Sequence, residues 1–590
     1  MGSVARRRPT GVPCQNRRER DLIRTCRSSL TTVAGVLAVW ALPAQAPLAQ
    51  STPVAQPAPL AQSAQPVPSA QPAELIPSDA QLEASGAVIG EILIDNQNIF
   101  NLADAREDTR IFRLANRIHI KTRARVVSRQ LLFRKGDRFS RHVLDESERV
   151  LRADRYFYDA RIEAVRYRDG VVDVRVTTRD VWTLNPGISF GRSGGQNTSG
   201  FELEELNVLG TGAEVSVGHK SGIDRTENNL SVADQHAFGT WTSVAAQYSD
   251  NSDGSVRQLI VDKPFYALDV RRAGGATLSD VEQVDSLYDR GQIVDKFRDR
   301  AQYLQGYVGF SGGLQNGWVE RWRFGATYDE RSFGMTPAWT GVTVLPEDRK
   351  YVYPWAQFDL IQDDFQKLHN HDQIERTEDF FLGTFASLRL GWADSALGSS
   401  RSALMFQSYA GQGAQTVART TLLFSEQLTG RLENGVLRNA VLEGTARYYT
   451  ELSSKWLFFS SLEAAAGRNL DLENQLLLGG DNGLRGYPLR YQGGDARALL
   501  TLEERYYTDW YPFRLFRIGG AVFFDAGRTW GPAPLTSPNL RLLKDAGFGL
   551  RIGNSRSGLG NVIHVDVAFP MDGDTSIKRV QFVVQTKQSF

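Results

Sequence analysis

One loop carries the residues best suited to specific chemistry: Gly479-Gly480-Asp481-Asn482-Gly483-Leu484-Arg485-Gly486-Tyr487. Its arginine stands between an aliphatic residue and a glycine. That neighbourhood suits a loop tip packed inside a wall, where the glycine lets the backbone approach closely. A guanidinium in such a place needs a carboxylate, because an unpaired buried charge is costly. Two candidates follow in sequence. Glu503 lies on the charged face of the next strand-like segment, and Asp525 lies one strand later, in Phe523-Phe524-Asp525-Ala526-Gly527. A bidentate contact from Arg485 to one of them would lock the loop. On spacing alone, an ordinary surface turn with a solvated arginine accounts for the same residues.

Other patterns point less sharply. Gly309-Phe310-Ser311-Gly312-Gly313 fits G-x-S-x-G. A nucleophile there needs a strand, a turn and then a helix, with an ordered acid and histidine. Here a strand is expected on both sides. His369, His371 and Asp372 have donor types that bind metals, but they sit in a polar stretch ending at Glu378-Asp379 and read as a solvated loop. Asp363-Asp364 likewise reads as loop charge. No catalytic residue, metal ligand or cofactor is assigned, and the protein is not expected to be an enzyme.

The elements that must position Arg485 follow from composition and period. Among 590 residues are 30 Phe, 19 Tyr, 11 Trp and 54 Gly, which suits many strands and tight turns. A mean hydropathy of −0.33 excludes a polytopic helical membrane protein. Residues 1–46 read as an export signal. They hold eight Arg, then an apolar run from Leu30 to Ala46 too short to span a bilayer as a helix. They also hold both cysteines, Cys14 and Cys26, so the mature chain has neither a disulfide nor a thiol nucleophile. Its net charge is near −5, because eight Arg leave with only Glu19 and Asp21. Residues 47–83, rich in Ala, Gln, Pro and Ser, read as a disordered linker.

Residues 84–182 read as a small α/β domain in the order β-α-α-β-β. Val88–Ile94 is the first strand, Arg125–Phe133 a short helix, and Val143 to Leu151 an apolar helical face. Phe157–Tyr167 and Val171–Thr178 form a hairpin around Asp169-Gly170. Between 105 and 180 there are 20 basic and 12 acidic residues. That excess suits anionic lipid headgroups, acidic unfolded clients or a solvated helix face.

From 185 to 590 the period is two. Trp322, Phe324, Ala326 and Tyr328 alternate with Arg321, Arg323, Gly325 and Asp329. Leu388, Leu390 and Trp392 alternate with Arg389 and Gly391. A soluble sandwich could bury the apolar face. Charge in mid-strand, export and segments near ten residues favour a transmembrane barrel with a wet lumen. The last segment places Val580, Phe582, Val584, Thr586 and Phe590 on one face.

At this point the chain resembles the BamA/TamA superfamily of outer-membrane assembly and secretion barrels. Leu484-Arg485-Gly486-Tyr487 is similar to its (V/I/L)-R-G-(F/Y) loop, Phe523-x-Asp525-x-Gly527 to its F-x-D-x-G strand, and Leu502-Glu503-Glu504-Arg505 to its E-x-R strand. Five strand-like segments follow the loop, as in that family. The α/β module resembles a POTRA domain, although only one is recognisable and Asn96 to His119 is inserted in it. The resemblance implies a 16-stranded antiparallel barrel over 185–590, fewer than the near-20 segments counted directly. It also implies a loop lock (Leu484, Arg485, Gly486, Tyr487 with Glu503, Asp525, Gly527 and Phe523) and a C-terminal insertion signal at Phe582 and Phe590. The implied location is the bacterial outer membrane, with the small domain in the periplasm. The implied work is insertion, folding or translocation of other polypeptides. The implied partners are outer-membrane lipids, unfolded outer-membrane or secreted clients and other periplasmic or inner-membrane assembly factors, with no nucleic acid. The alternatives are a dedicated secretion pore for one partner protein and, behind it, a barrel enzyme.

Overall fold

The computed structural model of the protein describes residues 76–590, apart from 375, 418, 532–540, 559–561, 574, 576 and 588–590. The export signal, most of the linker and Phe590 lie outside the described residues.

Secondary structure begins before the expected end of the linker. Ser78 and Gln81 form a capping box: the Ser78 side chain accepts from the Gln81 amide and the Gln81 side chain from the Ser78 amide. They start helix α1, Asp79–Ala84, and Leu82 is fully buried beneath it. β1, Val88–Gln97, follows. The inserted segment contains helix α2, Arg110–Ile118, capped by the Thr109 hydroxyl. Helix α3 covers Ala124–Arg129 and α4 covers Arg141–Ala153. The α3 helix therefore ends four residues short of the expected Phe133. Gln130 leaves it, and its side-chain amide donates to the Tyr156 hydroxyl at 2.6 Å. β2, Phe157–Arg168, and β3, Val171–Asp180, make the hairpin, with Asp169 and Gly170 both at positive φ.

The sheet order is β1-β3-β2, with β1 parallel to β3. Val127, Leu144, Leu151, Phe157, Ile162, Val172, Val174 and Val176 close its core.

Residues 184–587 form a closed antiparallel barrel of 20 strands, not 16. Its first strand, β4, is Leu184–Ser193. β5 is Gln196–Glu205 and the last strand is Gln581–Lys587. The physical reason for the larger number is economy of connection. Six barrel strands fit between Leu184 and Lys263, two of their five connections being two-residue turns, Gly194-Gly195 and Ser252-Asp253. Five barrel strands follow Tyr487, as expected, so the strands beyond 16 all precede the loop.

The alternation sorts as expected. Trp322, Phe324, Leu388, Leu390 and Trp392 are exposed on the outer wall, while Arg321 is buried inside. Two ribbons lie apart from the barrel sheet. One pairs Phe365–His369 with Thr377–Phe381, at the end facing the small domain. The other pairs Leu476–Leu478 with Gln492–Gly494, in the connection that carries Arg485 at the opposite end.

Candidate functional site: an arginine lock inside the barrel

The connection from 469 to 495 folds back into the barrel because its own polar groups hold it in a compact turn. The Asn482 side chain accepts from the Gly479 amide at 2.6 Å and donates to the Leu477 carbonyl at 2.7 Å. Leu484 and Tyr487 amides donate to the Gly479 and Leu484 carbonyls. Gly483 has φ of +116°, and a Cβ there would meet Leu499 at 2.0 Å, so the turn admits only glycine.

The four residues that follow each meet a different part of the wall. Leu484 is fully buried in a cluster with Leu478, Tyr491, Leu499, Leu543 and Ile577. Arg485 Nε and Nη2 reach Asp525 Oδ2 and Oδ1 at 2.7 and 2.9 Å, a bidentate pair. Arg485 Nη1 reaches Glu503 Oε1 at 2.7 Å and Asp566 Oδ2 at 3.4 Å. The guanidinium lies 3.4 Å above the Phe523 ring. Gly486 passes so close to the wall that a Cβ would sit 2.7 Å from Asp545 Cβ and 3.0 Å from Pro570 N. The Tyr487 hydroxyl donates to the Lys544 carbonyl at 2.8 Å and accepts from the Lys544 and Asp572 amides.

The wall is built to match. Phe523, Asp525 and Gly527 alternate along Phe516–Trp530 and so share its inner face. The first stacks on Arg485, the second binds it, and the third leaves room for Leu478, whose Cδ2 would lie 2.7 Å from a Cβ there. Glu503 also accepts from Arg505 Nε at 2.9 Å and Arg551 Nη2 at 3.1 Å, and Arg551 Nη1 donates to Asp566 at 2.5 Å. Three guanidiniums thus share three carboxylates, all buried.

The spacing argument had offered Glu503 or Asp525 as alternatives, and the structure brings both to Arg485. It missed Arg551 and Asp566. Their only sequence signal is charge on the inner face of two later strands, and which strands close near Arg485 depends on the barrel itself.

The same loop touches the barrel's seam. The Ser193 hydroxyl, at the end of β4, donates to the Gly480 carbonyl, and Gln585 of the last strand donates to Ser193 at 3.3 Å. Between β4 and the last strand a single registered pair, Val584 with Arg192, is found among the described residues. The neighbouring interfaces have ten pairs (β4 with β5) and seven (the last two strands). Phe582 is exposed on the outer wall beside this seam.

Of the weaker candidates, the Gly309–Gly313 stretch has strand on both sides, as expected, and the His369–Asp372 stretch does not lie where its polarity suggested. Ser311 lies on the long strand Gln292–Gln315 and donates to the Glu320 carbonyl of the neighbouring strand, so no strand–turn–helix elbow forms there. The His369–Asp372 stretch is not a solvated loop. It forms the tip of the inner ribbon, with the His371 ring 5.1 Å from both Phe380 and Tyr449, and the Tyr449 hydroxyl donates to Asp372 at 2.9 Å. Arg505 Nη1 donates to the His371 carbonyl at 3.2 Å, which joins this ribbon to the Arg485 cluster. At the ribbon's other end Arg152 of α4 makes a bidentate pair with Asp379, both contacts 2.7 Å. Lys367 meets Glu148 and Asp145, and Arg376 donates to the Phe157 carbonyl. Asp363 faces His142 of α4 at 3.2 Å. Charge crosses this junction in both directions: Arg152 of the small domain meets Asp379, while Lys367 of the ribbon meets Glu148 and Asp145.

No family model matches the chain, and no curated protein matches it. Solved structures do. The chain is similar to BamA from Haemophilus ducreyi lacking POTRA domains 1-3, with 14% identity over 84% of this chain and 84% of that one, at a TM-score of 0.37. It is similar to CdiB from Acinetobacter baumannii, with 13% identity over 85% and 73% at 0.40. It is similar to CdiB from Escherichia coli, with 13% identity over 85% and 76% at 0.42.

Proposed function

We propose that this protein is an outer-membrane barrel that inserts, folds or translocates other polypeptides, with its α/β domain acting as a POTRA-like module in the periplasm. The outer wall supports the membrane reading. Trp322, Phe324, Leu388, Leu390, Trp392, Phe548 and Leu550 are all about half exposed. A surface of that kind needs lipid against it.

The observation that carries the polypeptide-handling reading is the weak seam beside a locked loop. A closed barrel has no edge to offer a client strand. Among the described residues the seam has one registered pair, fewer than either neighbouring interface, and opening it would expose backbone donors and acceptors that can template a strand. The Arg485 loop braces β4 through Gly480 and Ser193 while remaining fixed, through Asp525 and Glu503, to strands four and five places from β4 around the barrel. It would keep the remaining wall intact while the seam parts. β2, at the free edge of the small sheet, could accept an extended client in the same manner.

The test is depletion of the protein followed by an outer-membrane proteome, with wild type and Arg485→Ala supplied in turn. A broad loss of outer-membrane proteins, restored by wild type and not by the variant, is expected. Loss of one secreted protein alone would replace the proposal with a dedicated secretion pore. An unchanged proteome and secretome would overturn both.

A further inference from the structure

Helix α2 has three unlike faces. Its inner face carries Phe112, Asn116 and the C-cap His119. Phe112 stacks on Phe100 at 4.0 Å, Asn116 exchanges hydrogen bonds with Phe100 backbone, and His119 Nε2 lies 3.0 Å from Asp180. At 100° per residue the outward half divides again. Ile111, Leu114 and Ile118 form one stripe, and Arg110, Arg113 and Arg117 form the stripe beside it. The apolar stripe is open: Ile111 is 76% exposed, Leu114 57% and Ile118 59%, with Ile120 just beyond at 54%. Three large aliphatic side chains on a nine-residue helix are not left in water by chance of packing, since the inner face shows that the helix has a core side available.

Its position indicates what covers the stripe. The inserted segment is fastened to the rim of the barrel through Arg556, which donates to the Ile99 carbonyl at 2.8 Å and pairs with Glu107. Arg556 Nε also reaches the Tyr511 hydroxyl at 3.2 Å and the Arg514 carbonyl at 3.4 Å, so the segment docks against the turn between Tyr507 and Phe516. That turn carries Trp510 and Phe513, 65% and 78% exposed. Exposed aromatics at a barrel rim mark the level of the lipid headgroups. We infer that α2 is an interfacial membrane helix, lying in the headgroup layer of an anionic phospholipid leaflet beside the barrel. Ile111, Leu114 and Ile118 enter the acyl boundary, and Arg110 and Arg117, flanking an Arg113 that is paired with Asp108, meet phosphates. The small domain would then be held at the bilayer by lipid as well as by its ion pairs to the barrel. This inference rests on the membrane-barrel reading above, and its test separates the two.

The test uses the full-length protein with Cys14→Ser and Cys26→Ser, reconstituted in phosphatidylethanolamine vesicles containing phosphatidylglycerol. Single spin labels are placed at Leu114→Cys on the apolar stripe, Arg113→Cys on the basic stripe and Phe324→Cys on the outer wall. Collision with oxygen against collision with a water-soluble nickel chelate reports lipid contact. Oxygen is expected to dominate at 114 and 324, and the chelate at 113. Ile111→Glu with Ile118→Glu should shift the 114 label to the aqueous pattern and leave the 324 label unchanged. Replacing the lipid by phosphatidylcholine should weaken contact at 114 alone. An aqueous 114 label beside a lipid-contacting 324 label overturns the inference and leaves the barrel reading standing. So does a 114 label that is shielded only when an unfolded polypeptide is added, which would assign the stripe to clients. Equal contact in phosphatidylcholine overturns the role given to the arginines. An aqueous 324 label overturns the membrane reading and this inference with it.

Discussion

Arg485 and Asp525 bear unequal burdens. Removing Arg485 leaves Asp525 without its bidentate partner, while Glu503 and Asp566 retain Arg551. Breaking one member out of a buried pair costs roughly 3–5 kcal/mol. Arg485→Ala should therefore lower the temperature of the heat-induced mobility shift of the folded barrel. Arg485→Ala with Asp525→Ala should recover part of the loss, because no carboxylate is then stranded. A double variant no more stable than Arg485→Ala alone would remove Asp525 from the account. A second residue-scale prediction concerns the small domain. Asp154 is 3% exposed, and burial pushes its carboxyl up to about 7 against the opposing hydrogen bond from Tyr156 at 2.6 Å. Between the ordinary value of 3.8 and about 7 the folded state holds a proton that the unfolded chain has released. Stability contributed here falls as pH rises through that window, by something on the order of 4 kcal/mol, and is flat above it. Asp154→Asn should match wild type at pH 4 and exceed it at pH 8 in the opening free energies of β1 and β3 amides from hydrogen exchange. At this scale the sequence was readable where chain order carries the contact. Leu484 to Tyr487 and Phe523 to Gly527 lie within two strands of each other. Arg551 and Asp566 come from later strands and meet Arg485 only through the closed wall, so no spacing rule points to them.

Among elements, the ribbon Phe365–Phe381 was the least legible. Its sequence is polar, with two histidines and several acids, and polarity normally places a segment in solvent. The lumen of this barrel is itself polar, so the argument from polarity cannot tell lumen from solvent. What the ribbon does is join two bodies: Arg152 and Lys367 tie its base to α4, and the His371 carbonyl ties its tip to Arg505. The Arg152–Asp379 pair is well shielded, with side chains 6% and 17% exposed, so it should contribute more than a surface ion pair. Arg152→Glu alone should raise hydrogen exchange along 365–381, and Asp379→Arg alone should do the same. Arg152→Glu with Asp379→Arg should restore protection toward wild type. If the reversed pair exchanges as fast as either single variant, the contact does not hold the ribbon. The helices show the opposite case. The apolar period of α4 is a local signal and was read as a helix, whereas α1 was lost in the composition of the linker and α2 was hidden because its apolar residues face outward and no core called for them.

At the scale of the whole molecule, the strand number and the seam belong to one problem. Period-two alternation identifies strands one at a time, and a direct count came close to 20. The resemblance to a 16-stranded family pulled the expectation down because chain length permits either number. Closure is not visible in alternation, since it depends on how two termini 400 residues apart in the barrel meet. Among the described residues they meet through one registered pair, Val584 with Arg192. The first strand ends on Gly194 and Gly195, both at positive φ, and the loop bearing Arg485 supports it at Ser193. If the seam is the working part, locking it should abolish function without harming the fold. The chain's two cysteines, Cys14 and Cys26, both lie within residues 1–46, and with both replaced by serine an engineered pair has no other thiol to compete with it. Arg192→Cys with Val584→Cys places the two at a registered antiparallel pair. Oxidation should leave the heat-induced mobility shift at or above the wild-type temperature and stop assembly of outer-membrane clients in the depleted strain, with activity returning on reduction. A control pair across a fully registered interface, Ser408→Cys with Leu428→Cys, should cross-link without effect. Retained activity with the seam covalently shut would mean that clients pass without opening it, and the search for the working surface would move to the edge of β2.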